Sequence, residues 1–333
     1  SLRLRAVSYY YMTLELHLGD CLAFMQGMPD NCVDLIATDP PYYKVKGDTW
    51  DRQWDTPAAF LAWFDLLAEQ WQRILRPNGS LYVFAWPKMS ARVEVLLAER
   101  FSVLNTITWG KDEGWHKRAA KDELRSFFQA SERIIFAEHI GADVPIRAYL
   151  AAERDRAGFT TRRVAEAFQA KSGSRTVTGM AGHWFNEVQW ELPTATNYAW
   201  LRDLFGPEYL RREYEDLRRE YEDLRRPFNV SADVPYTDVW AFPTVGTRKG
   251  KHPCEKPLAM MEHIVTASSR PDAVVLDCFM GSGVTGEAAL MHGRNFIGIE
   301  ADLEYFRGAS QRCGQPVPAE MEQPVSRGQM SLF

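Results

Sequence analysis

The tetrapeptide Asp39-Pro40-Pro41-Tyr42 combines groups that could hold and activate an aromatic amine. Such an amine is a poor nucleophile because its lone pair is delocalised into the ring. Hydrogen bonds accepted by the Asp39 carboxylate and the Pro40 carbonyl would favour a pyramidal nitrogen, and two prolines stiffen the loop that holds these acceptors. Tyr42 offers a ring on which a base could stack. Taken alone, the four residues fit a rigid turn at a strand exit equally well.

A second candidate site is the glycine-containing segment from Asp277 to Gly283. It follows an apolar strand and precedes a helical stretch, so its glycines would let the backbone approach a ligand at a helix N-terminus. Glu300 ends the next strand, where a carboxylate can accept hydrogen bonds from ribose hydroxyls. The spacing differs from the three-glycine dinucleotide pattern. We therefore predict a nucleotide-type cofactor site, with a coincidental glycine turn as the alternative.

The elements that would position both sites alternate between strand and helix, which predicts a parallel α/β sheet. A buried strand at residues 33–38 precedes the tetrapeptide, and a helix over 57–75 is followed by a turn at 76–79. The same alternation resumes with a helix over 258–268 and a strand over 274–277. One sheet is thus predicted from residues 12–139 and 230–315, split by a helical insertion at 140–229. Residues 1–11 are expected to be extraneous, with Met12 as the natural start.

The order of these motifs resembles the amino-group DNA methyltransferases, in the permuted class where the catalytic motif precedes the cofactor motif. The resemblance covers most of the chain outside the insertion. Further matching segments are Gly19-Asp20-Cys21, His252-Pro253-Cys254-Glu255-Lys256-Pro257, Phe296-Ile297-Gly298-Ile299-Glu300, Tyr305 and Arg312. The resemblance implies a Rossmann-like methyltransferase fold with a mostly parallel, seven-stranded sheet.

The resemblance also implies S-adenosyl-L-methionine as cofactor, without a metal. Glu300 would hold the ribose, Asp20 would contact the adenine ring and Lys256 would lie near the amino-acid end. For Asp20 and Lys256, ordinary loop solvation is the alternative. The implied cofactor-binding set is Asp20, Cys21, Lys256, Asp277, Phe279, Gly281, Ser282, Gly283, Thr285 and Glu300.

The aspartate in the tetrapeptide bears on the substrate. In the family that this chain resembles, aspartate is commoner in adenine N6 enzymes and serine in cytosine N4 enzymes. Asp39 therefore favours transfer of a methyl group to adenine N6 in duplex DNA, with the base flipped out of the helix. Cytosine N4 is the alternative, and a helix-turn-helix regulator with a silent methyltransferase domain is a third.

The insertion carries a local excess of positive charge, although the whole chain has a formal charge of −5. Between residues 146 and 185 there are seven Lys or Arg against three Asp or Glu. Three helices are expected at about 146–157, 160–169 and 177–186, with a turn at 172–174. This resembles a repressor-type helix-turn-helix that would enter the major groove. The alternative is a helical packing subdomain with a solvated charged face.

The residues expected to contact DNA come from this module and from the loop after Trp109. Thr176 and Trp184 are additional groove candidates, and His116 is an additional phosphate candidate. The main set is Lys111, Lys117, Arg118, Lys121, Arg162, Arg163, Arg175, Thr178 and His183.

Two segments could bind partners. A seven-residue repeat at 212–225 places Tyr214, Leu217, Tyr221 and Leu224 on one helix stripe, which predicts intramolecular packing or a weak homodimer. Residues 316–333 are expected to form a flexible tail. Its end resembles the peptide by which bacterial proteins dock on the sliding clamp, through Gln329, Leu332 and Phe333, with a chance tail as the alternative.

The composition argues against several other classes of protein. The five cysteines never form a CxxC pair, which argues against a disulfide framework and a zinc site. No apolar run approaches the ~20 residues of a membrane helix, and no signal-peptide pattern is present. A cytoplasmic protein without membrane association is expected.

Overall fold

A computed structural model describes residues 13–43, 53–111, 125–127, 129–140, 144–173, 180–186, 190–230, 236–246 and 254–315. The chain divides into two compact units, one formed by Ser1–Ile140 with Arg226–Phe333 and the other by Gly141–Arg225. The first unit contains the sheet and the second is helical. The predicted insertion, 140–229, spans the second unit.

The described strands of the first unit form one eight-stranded sheet in the order β1-β8-β7-β2-β3-β5-β4-β6. Five neighbouring pairs are parallel and β5 runs antiparallel to β3 and β4. The strands are β1 (Leu14–Leu18), β2 (Val33–Thr38), β3 (Leu75–Ala85), β4 (Phe101–Gly110), β5 (Ser131–His139), β6 (Val239–Trp240), β7 (Val274–Asp277) and β8 (Asn295–Glu300).

The helices of the first unit cover both faces of this sheet. They are α1 (Cys21–Gln26), α2 (Pro57–Ile74), α3 (Pro87–Ala98), α9 (Leu258–Ser268), α10 (Val284–Met291) and α11 (Leu303–Arg312). Strand β2 shows the layering, because Ile36 packs in a core with α1, α2 and α3 while Leu35 and Ala37 pack in a core with α9, α10 and α11. Such a two-sided core requires apolar residues on both faces of a central parallel strand.

The predicted mostly parallel α/β fold is confirmed, but the sheet has eight strands instead of seven. The additional strand is the two-residue β6, which pairs with Thr108 and Trp109 at the edge of β4. The turn predicted at 76–79 lies inside β3, because the pairing moves from Val33 with Leu75 to Leu35 with Ser80. The intervening residues of β3 form a bulge.

The chain connections place a crevice between β2 and β7. These strands are parallel neighbours, with Ile36 opposite Leu276. From β2 the chain continues to β3 on one side, and from β7 it continues to β8 on the other. Ligands of open α/β sheets bind at the carboxyl ends of strands where the connections diverge in this way. The tetrapeptide after β2 and the glycine segment after β7 both lie at this point.

The second unit is built from five described helices around its own apolar core. They are α4 (Val144–Arg156), α5 (Thr161–Ser172), α6 (Met180–His183), α7 (Ala195–Phe205) and α8 (Tyr214–Leu224). Thr160 caps α5 through its side chain, and Gly173 ends the helix in a left-handed conformation with φ of 67°. The third helix, predicted at about 177–186, ends at His183, three residues earlier than expected, and residues 177–179 lie outside the described residues.

The repeated segment packs within the chain. Leu217 is fully buried in the core of the second unit, and Tyr214, Tyr221 and Leu224 pack against the same core. The stripe formed by these four side chains therefore packs inside the helical unit, which agrees with the prediction of intramolecular packing.

Candidate active site

The tetrapeptide predicted to be catalytic leaves β2 at its carboxyl end, and it begins with Asp39. Asp39 Oδ2 forms an ion pair with Lys256 Nζ, in the segment before α9. The other oxygen, Oδ1, is buried and has no hydrogen-bond partner among the described residues. An unpaired buried acceptor is unusual in a folded protein and often marks a functional group. Asp39 therefore presents one oxygen held by a cation and one available to a donor.

Three further side chains join Asp39 in what we call the ion-pair cluster, defined as Asp39, Glu132, Lys111 and Lys256. Glu132 Oε2 lies 3.4 Å from Lys256 Nζ, and Glu132 Oε1 pairs with Lys111. The Tyr42 hydroxyl donates to Glu132 Oε2 at 3.3 Å. The cluster thus contains two carboxylates and two ammonium groups, and it contacts the stacking residue directly.

Burial and neighbouring charge set the protonation of this cluster. Burial raises the pKa of Asp39, with Glu132 adding to the effect and Lys256 opposing it. Burial alone would raise the pKa of Glu132, but the cations of Lys256 and Lys111 lower it below its ordinary value. Burial disfavours the Lys256 cation, yet Asp39 and Glu132 raise the pKa of Lys256 above its ordinary value. Lys256 is therefore an ammonium group at neutral pH.

The glycine segment is shaped by backbone that only glycine adopts easily. Gly281 and Gly283 have φ of 49° and 75°. A Cβ on Gly283 would lie 2.9 Å from both Cα and Cβ of Ala309 in α11, so a side chain has no space there. Helix α10 begins directly after Gly283. The segment consequently brings bare backbone to the start of a helix.

Two carboxylates hold this segment in place. Glu300 accepts from Gly281 N at 2.9 Å and from Asp302 N at 2.8 Å, and burial raises its pKa. Asp277 accepts from the hydroxyls of Thr38 at 2.8 Å and Thr285 at 2.6 Å. Burial raises the pKa of Asp277 to about 6. Asp277 and Thr285 are thereby fully engaged in bonds that support the loop.

A cleft of about 360 Å³ joins the two motifs. It is lined by Asp39 and Lys256 on the catalytic side and by Phe279, Gly281 and Ser282 on the glycine side. Arg312 donates to Ser282 at 3.1 Å and also pairs with Glu255. The same cleft therefore reaches the carboxylate of Asp39 and the exposed backbone of the glycine segment.

Asp20 and Cys21 lie at the start of α1, beside the last strand of the cofactor motif. Gly19 N donates to Glu300 O at 2.8 Å, which brings this turn next to β8. The exposed Asp20 caps α1 through Ala23 N. Cys21 is buried, and burial raises the pKa of its thiol. Asp20 thus has an accessible carboxylate near Glu300, whereas Cys21 belongs to the apolar core.

A second pocket, of about 240 Å³, adjoins the tetrapeptide on its other side. Pro40, Pro41 and Tyr42 line it together with Trp86 at the end of β3. The rings of Tyr42 and Trp86 have centroids 6.4 Å apart. This aromatic pocket provides apolar faces beside Pro40, the residue that follows Asp39 in the chain.

The predicted DNA-contacting residues fall into four groups. Lys111 lies in the ion-pair cluster, which sequence analysis did not anticipate. Arg162 and Arg163 are exposed on α5, and the Arg162 side chain is 87% accessible. Trp184 was wrongly predicted as a groove contact, because it is buried in the core of the helical unit, whereas the neighbouring His183 is half-buried. The remaining candidates lie outside the described residues; they are His116, Lys117, Arg118, Lys121, Arg175, Thr176 and Thr178.

Two further predictions also lie outside the described residues. They concern residues 1–11 and the tail with Gln329, Leu332 and Phe333.

Glu132 is the functional residue that sequence analysis missed. A single acid stands two residues before the apolar run Ile134-Ile135-Phe136-Ala137, and a charged residue that is 5% exposed requires a partner. That isolated acid at the start of a buried strand was the available signal.

Other classes of site were sought over the described ranges. No group of three or more His, Cys, Asp or Glu there has the arrangement of a metal site. No helix in that part of the chain is both long and apolar enough to cross a membrane.

Comparison with known proteins agrees with the fold and the motif order. The family model described as DNA methylase, of the N6/N4 methyltransferase type, matches residues 33–311. The chain is 25% identical over 322 residues to the type II methyltransferase M2.MboI of Moraxella bovis, covering 91% of this chain and 89% of the relative. It is 28% identical over 297 residues to the DNA adenine methyltransferase YhdJ of Escherichia coli K12, covering 88% and 80%.

Solved structures show the same fold. A complex of M1.HpyAVI with S-adenosylmethionine superposes with a TM-score of 0.51 at 20% identity, covering 90% of this chain and 98% of that one. The cytosine-N4-specific PvuII DNA methyltransferase superposes with a TM-score of 0.54 at 15% identity, covering 91% and 87%. The sheet and its two motifs therefore define a methyltransferase of the Rossmann-like class. Within that class, the chain belongs to the N6/N4 DNA methylase family.

Proposed function

We propose that this DNA methyltransferase transfers a methyl group from S-adenosyl-L-methionine to N6 of adenine in duplex DNA, with the target base flipped into the site. The observation that carries the proposal is the buried Oδ1 of Asp39, which has no hydrogen-bond partner among the described residues, on a side chain that lines one cleft with the glycine segment. An exocyclic amine donated to this oxygen would complete its hydrogen bonding. Identification of the base that is methylated when the protein is incubated with duplex DNA and labelled cofactor tests this function.

The residues of the cleft fit the proposed cofactor. S-Adenosyl-L-methionine supplies an electrophilic methyl group on a sulfonium sulfur. Glu300, with each oxygen held by a backbone N–H, retains lone pairs for ribose hydroxyls. Bare backbone at Gly281 and Gly283 permits close approach of the ligand. The Lys256 ammonium, which lines the cleft, provides a cation for a carboxylate on the amino-acid end.

The chain's contribution to methyl transfer is orientation and hydrogen bonding. Asp39 Oδ1 and the Pro40 carbonyl accept from the amine, which turns its lone pair toward the methyl group. Lys256 favours the ionised form of Asp39, against the effect of burial, and fixes its second oxygen. Tyr42 and Trp86 bound the pocket for the flipped base. As the nitrogen–carbon bond forms and the carbon–sulfur bond breaks, the excess proton of the amine leaves to solvent.

Adenine is favoured over cytosine by Asp39 and by the relative named as an adenine methyltransferase. Cytosine N4 is the second candidate, favoured by the structural likeness to a cytosine-N4-specific enzyme, although at 15% identity that likeness shows the fold alone. A silent regulator is disfavoured because both motifs keep their reactive groups in one cleft.

The helical unit is proposed to bind DNA through α5. Arg162 and Arg163 are exposed neighbours on this helix. If each contacts a phosphate, replacing both with Ala should weaken DNA binding and reduce the slope of log affinity against log salt by about 1.8. Arg218 and Arg219, exposed on the acid-rich α8, provide a matched double replacement. Equal salt slopes for the two double variants, measured by fluorescence anisotropy, would contradict this role of α5.

The C-terminal tail is proposed to bind the bacterial sliding clamp through Gln329, Leu332 and Phe333. Leu332→Ala together with Phe333→Ala should abolish recovery of the protein on immobilised clamp, because the two apolar side chains would fill the hydrophobic pocket. The same protein with Met330→Ala is the control and should be recovered normally. Equal recovery of the intact and doubly substituted chains would contradict clamp binding through this tail.

A further inference from the structure

Glu132 lies where the antiparallel part of the sheet meets the catalytic edge. It is the second residue of β5, and β5 runs antiparallel to β3 with Arg133 opposite Ala85. Because β3 is parallel to β2, the start of β5 lies at the edge where β2 ends. The sheet topology therefore places Glu132 beside Tyr42, 90 residues away in the chain.

The carboxylate of Glu132 joins three separate segments of the site. It accepts from Tyr42 in the tetrapeptide, pairs with Lys111 after β4 and lies 3.4 Å from Lys256 before α9. Glu132 and Lys256 are each 5% exposed. One buried acid thus links the stacking ring, the end of an adjacent strand and the cation that holds Asp39.

The charge of the cluster explains why this acid is needed. With Asp39 and Glu132 ionised and both lysines protonated, the cluster is neutral. Removing the charge of Glu132 leaves a surplus ammonium in a buried setting, where an unpaired charge is costly. Lys256 would then move to satisfy Asp39 alone or retreat toward solvent. In addition, the Tyr42 hydroxyl would lose its charged acceptor, and the Lys256 ammonium that lies 5.8 Å from the centre of its ring would shift.

We propose that Glu132 is a positioning residue for methyl transfer, which fixes Tyr42 and Lys256 so that the free oxygen of Asp39 points into the reaction site. This inference rests on the proposed function and assigns a residue to the same site. Glu132 acts through Tyr42 and Lys256 and does not itself touch the reacting atoms. The competing explanation is an ion pair that only stabilises the fold.

Glu132→Gln tests the proposal with little change in shape. The amide keeps an acceptor for Tyr42 but lacks the charge that balances Lys256. We expect kcat to fall about tenfold to a hundredfold through misplacement of the reacting groups. This kcat is measured at saturating cofactor, so that any change in cofactor affinity through Lys256 does not enter the comparison.

The matched control is Glu138→Gln on the same strand. Glu138 has the same side-chain direction as Glu132 because their positions differ by an even number. It also forms an ion pair, with Arg226 Nε at 2.6 Å, but it lies six residues away at about 20 Å along the strand. If the loss of any ion pair on this strand lowered kcat, the two variants would be affected equally. Methyl transfer to duplex DNA from a methylation-deficient bacterial source, normalised to folded protein, gives the kcat of each.

The dependence of kcat on pH distinguishes a positioning role of Glu132 from a role that only stabilises the fold. The ionisable groups facing Asp39 are Lys256, Glu132, Tyr42, Asp277 and Cys254. The negative charge of Glu132 raises the pKa of Asp39, so Glu132→Gln should lower that pKa. The acid limb of the kcat profile, where Asp39 becomes protonated, should therefore move to lower pH.

Lys256→Met should move the same limb in the opposite direction. The Lys256 cation lowers the pKa of Asp39, so its removal raises that pKa and shifts the loss of activity to higher pH. Lys88→Met, at an exposed position on α3, should leave the limb in place. A residue that only stabilised the fold would change the amount of active protein without moving the midpoint.

Lower kcat at saturating cofactor, with an acid limb shifted to lower pH, would support the proposal. A kcat equal to that of Glu138→Gln, or a reduced kcat with an unmoved acid limb, would overturn it. If Glu132→Gln does not fold, Glu132→Asp keeps the charge but draws the carboxylate away from Tyr42 and Lys256 by one methylene group. A reduction of kcat by about tenfold then supports the proposal and an unchanged kcat overturns it. Wild-type protein without activity on this DNA would overturn the proposed function itself, and the inference with it.

Discussion

Replacing Asp39 with Ala is expected to reduce the kcat of methyl transfer at least about a hundredfold, the scale seen when a preorganised hydrogen-bonding group is lost at a reacting centre. The amine would lose the acceptor that orients its lone pair. Cofactor affinity should be retained, because Glu300 and the glycine segment are untouched. Calorimetry with the cofactor and a methyl-transfer assay on DNA measure the two effects separately.

Asp34→Asn is the matched control for this change. Asp34 is also an aspartate of the β2 segment, but it lies at the opposite end of the strand, where it pairs with Arg76 and accepts from Val274 N. Its replacement should leave kcat near the wild-type value. Retained activity in Asp39→Ala would remove Asp39 from its assigned role.

Gly283→Ala is the second change with a large expected effect. The left-handed backbone at φ of 75° costs a residue with a Cβ about 1–2 kcal/mol. The new methyl group would also lie 2.9 Å from the backbone of Ala309, which adds about 1–3 kcal/mol of overpacking. Because the start of α10 must shift to relieve this contact, cofactor affinity should fall at least about tenfold, which corresponds to ~1.4 kcal/mol.

Gly293→Ala separates the effect of the left-handed backbone from the effect of steric overlap with Ala309. Gly293 has a nearly identical φ of 72°, but a Cβ there meets nothing within 4 Å. This variant should lose only the backbone contribution of about 1–2 kcal/mol in the free energy of unfolding, with unchanged cofactor affinity. Denaturant unfolding and calorimetry on both variants provide the comparison, and equal cofactor affinities would contradict the assigned role of Gly283.

Local patterns were sufficient to predict the elements around both motifs. Helix α9 at Leu258–Ser268 and strand β7 at Val274–Asp277 have the predicted bounds. Both are short apolar elements whose ends are marked by turn residues in the sequence itself. The crevice between β2 and β7 could be anticipated in the same way, because parallel strands bring their carboxyl ends to one edge.

Features that depend on distant pairing were not predictable. The bulge in β3 and the two-residue β6 exist only because particular neighbours lie beside them in the sheet. Trp184 follows the short α6 of a basic module, and nothing local shows that its ring packs into the core against Phe168. Burial of this kind is decided by the packing of several helices at once.

The ion-pair cluster illustrates the same limit at the active site. Asp39 and Lys256 were both singled out from sequence, yet their direct pairing spans 217 residues of chain and could not be anticipated. Glu132 was missed because its importance arises from three long-range contacts and from no motif. Side-chain charge in a strand is visible in the sequence, but the partners that neutralise it are determined by topology.

The most direct test of the account is to identify the methylated base. Wild-type protein is incubated with methylation-deficient duplex DNA and labelled S-adenosyl-L-methionine, and the DNA is digested to nucleosides for mass spectrometry, with Asp39→Ala as the inactive reference. The account predicts label in N6-methyladenine, at a defined sequence context, and none with Asp39→Ala. Label in N4-methylcytosine, or no label in DNA, would contradict it.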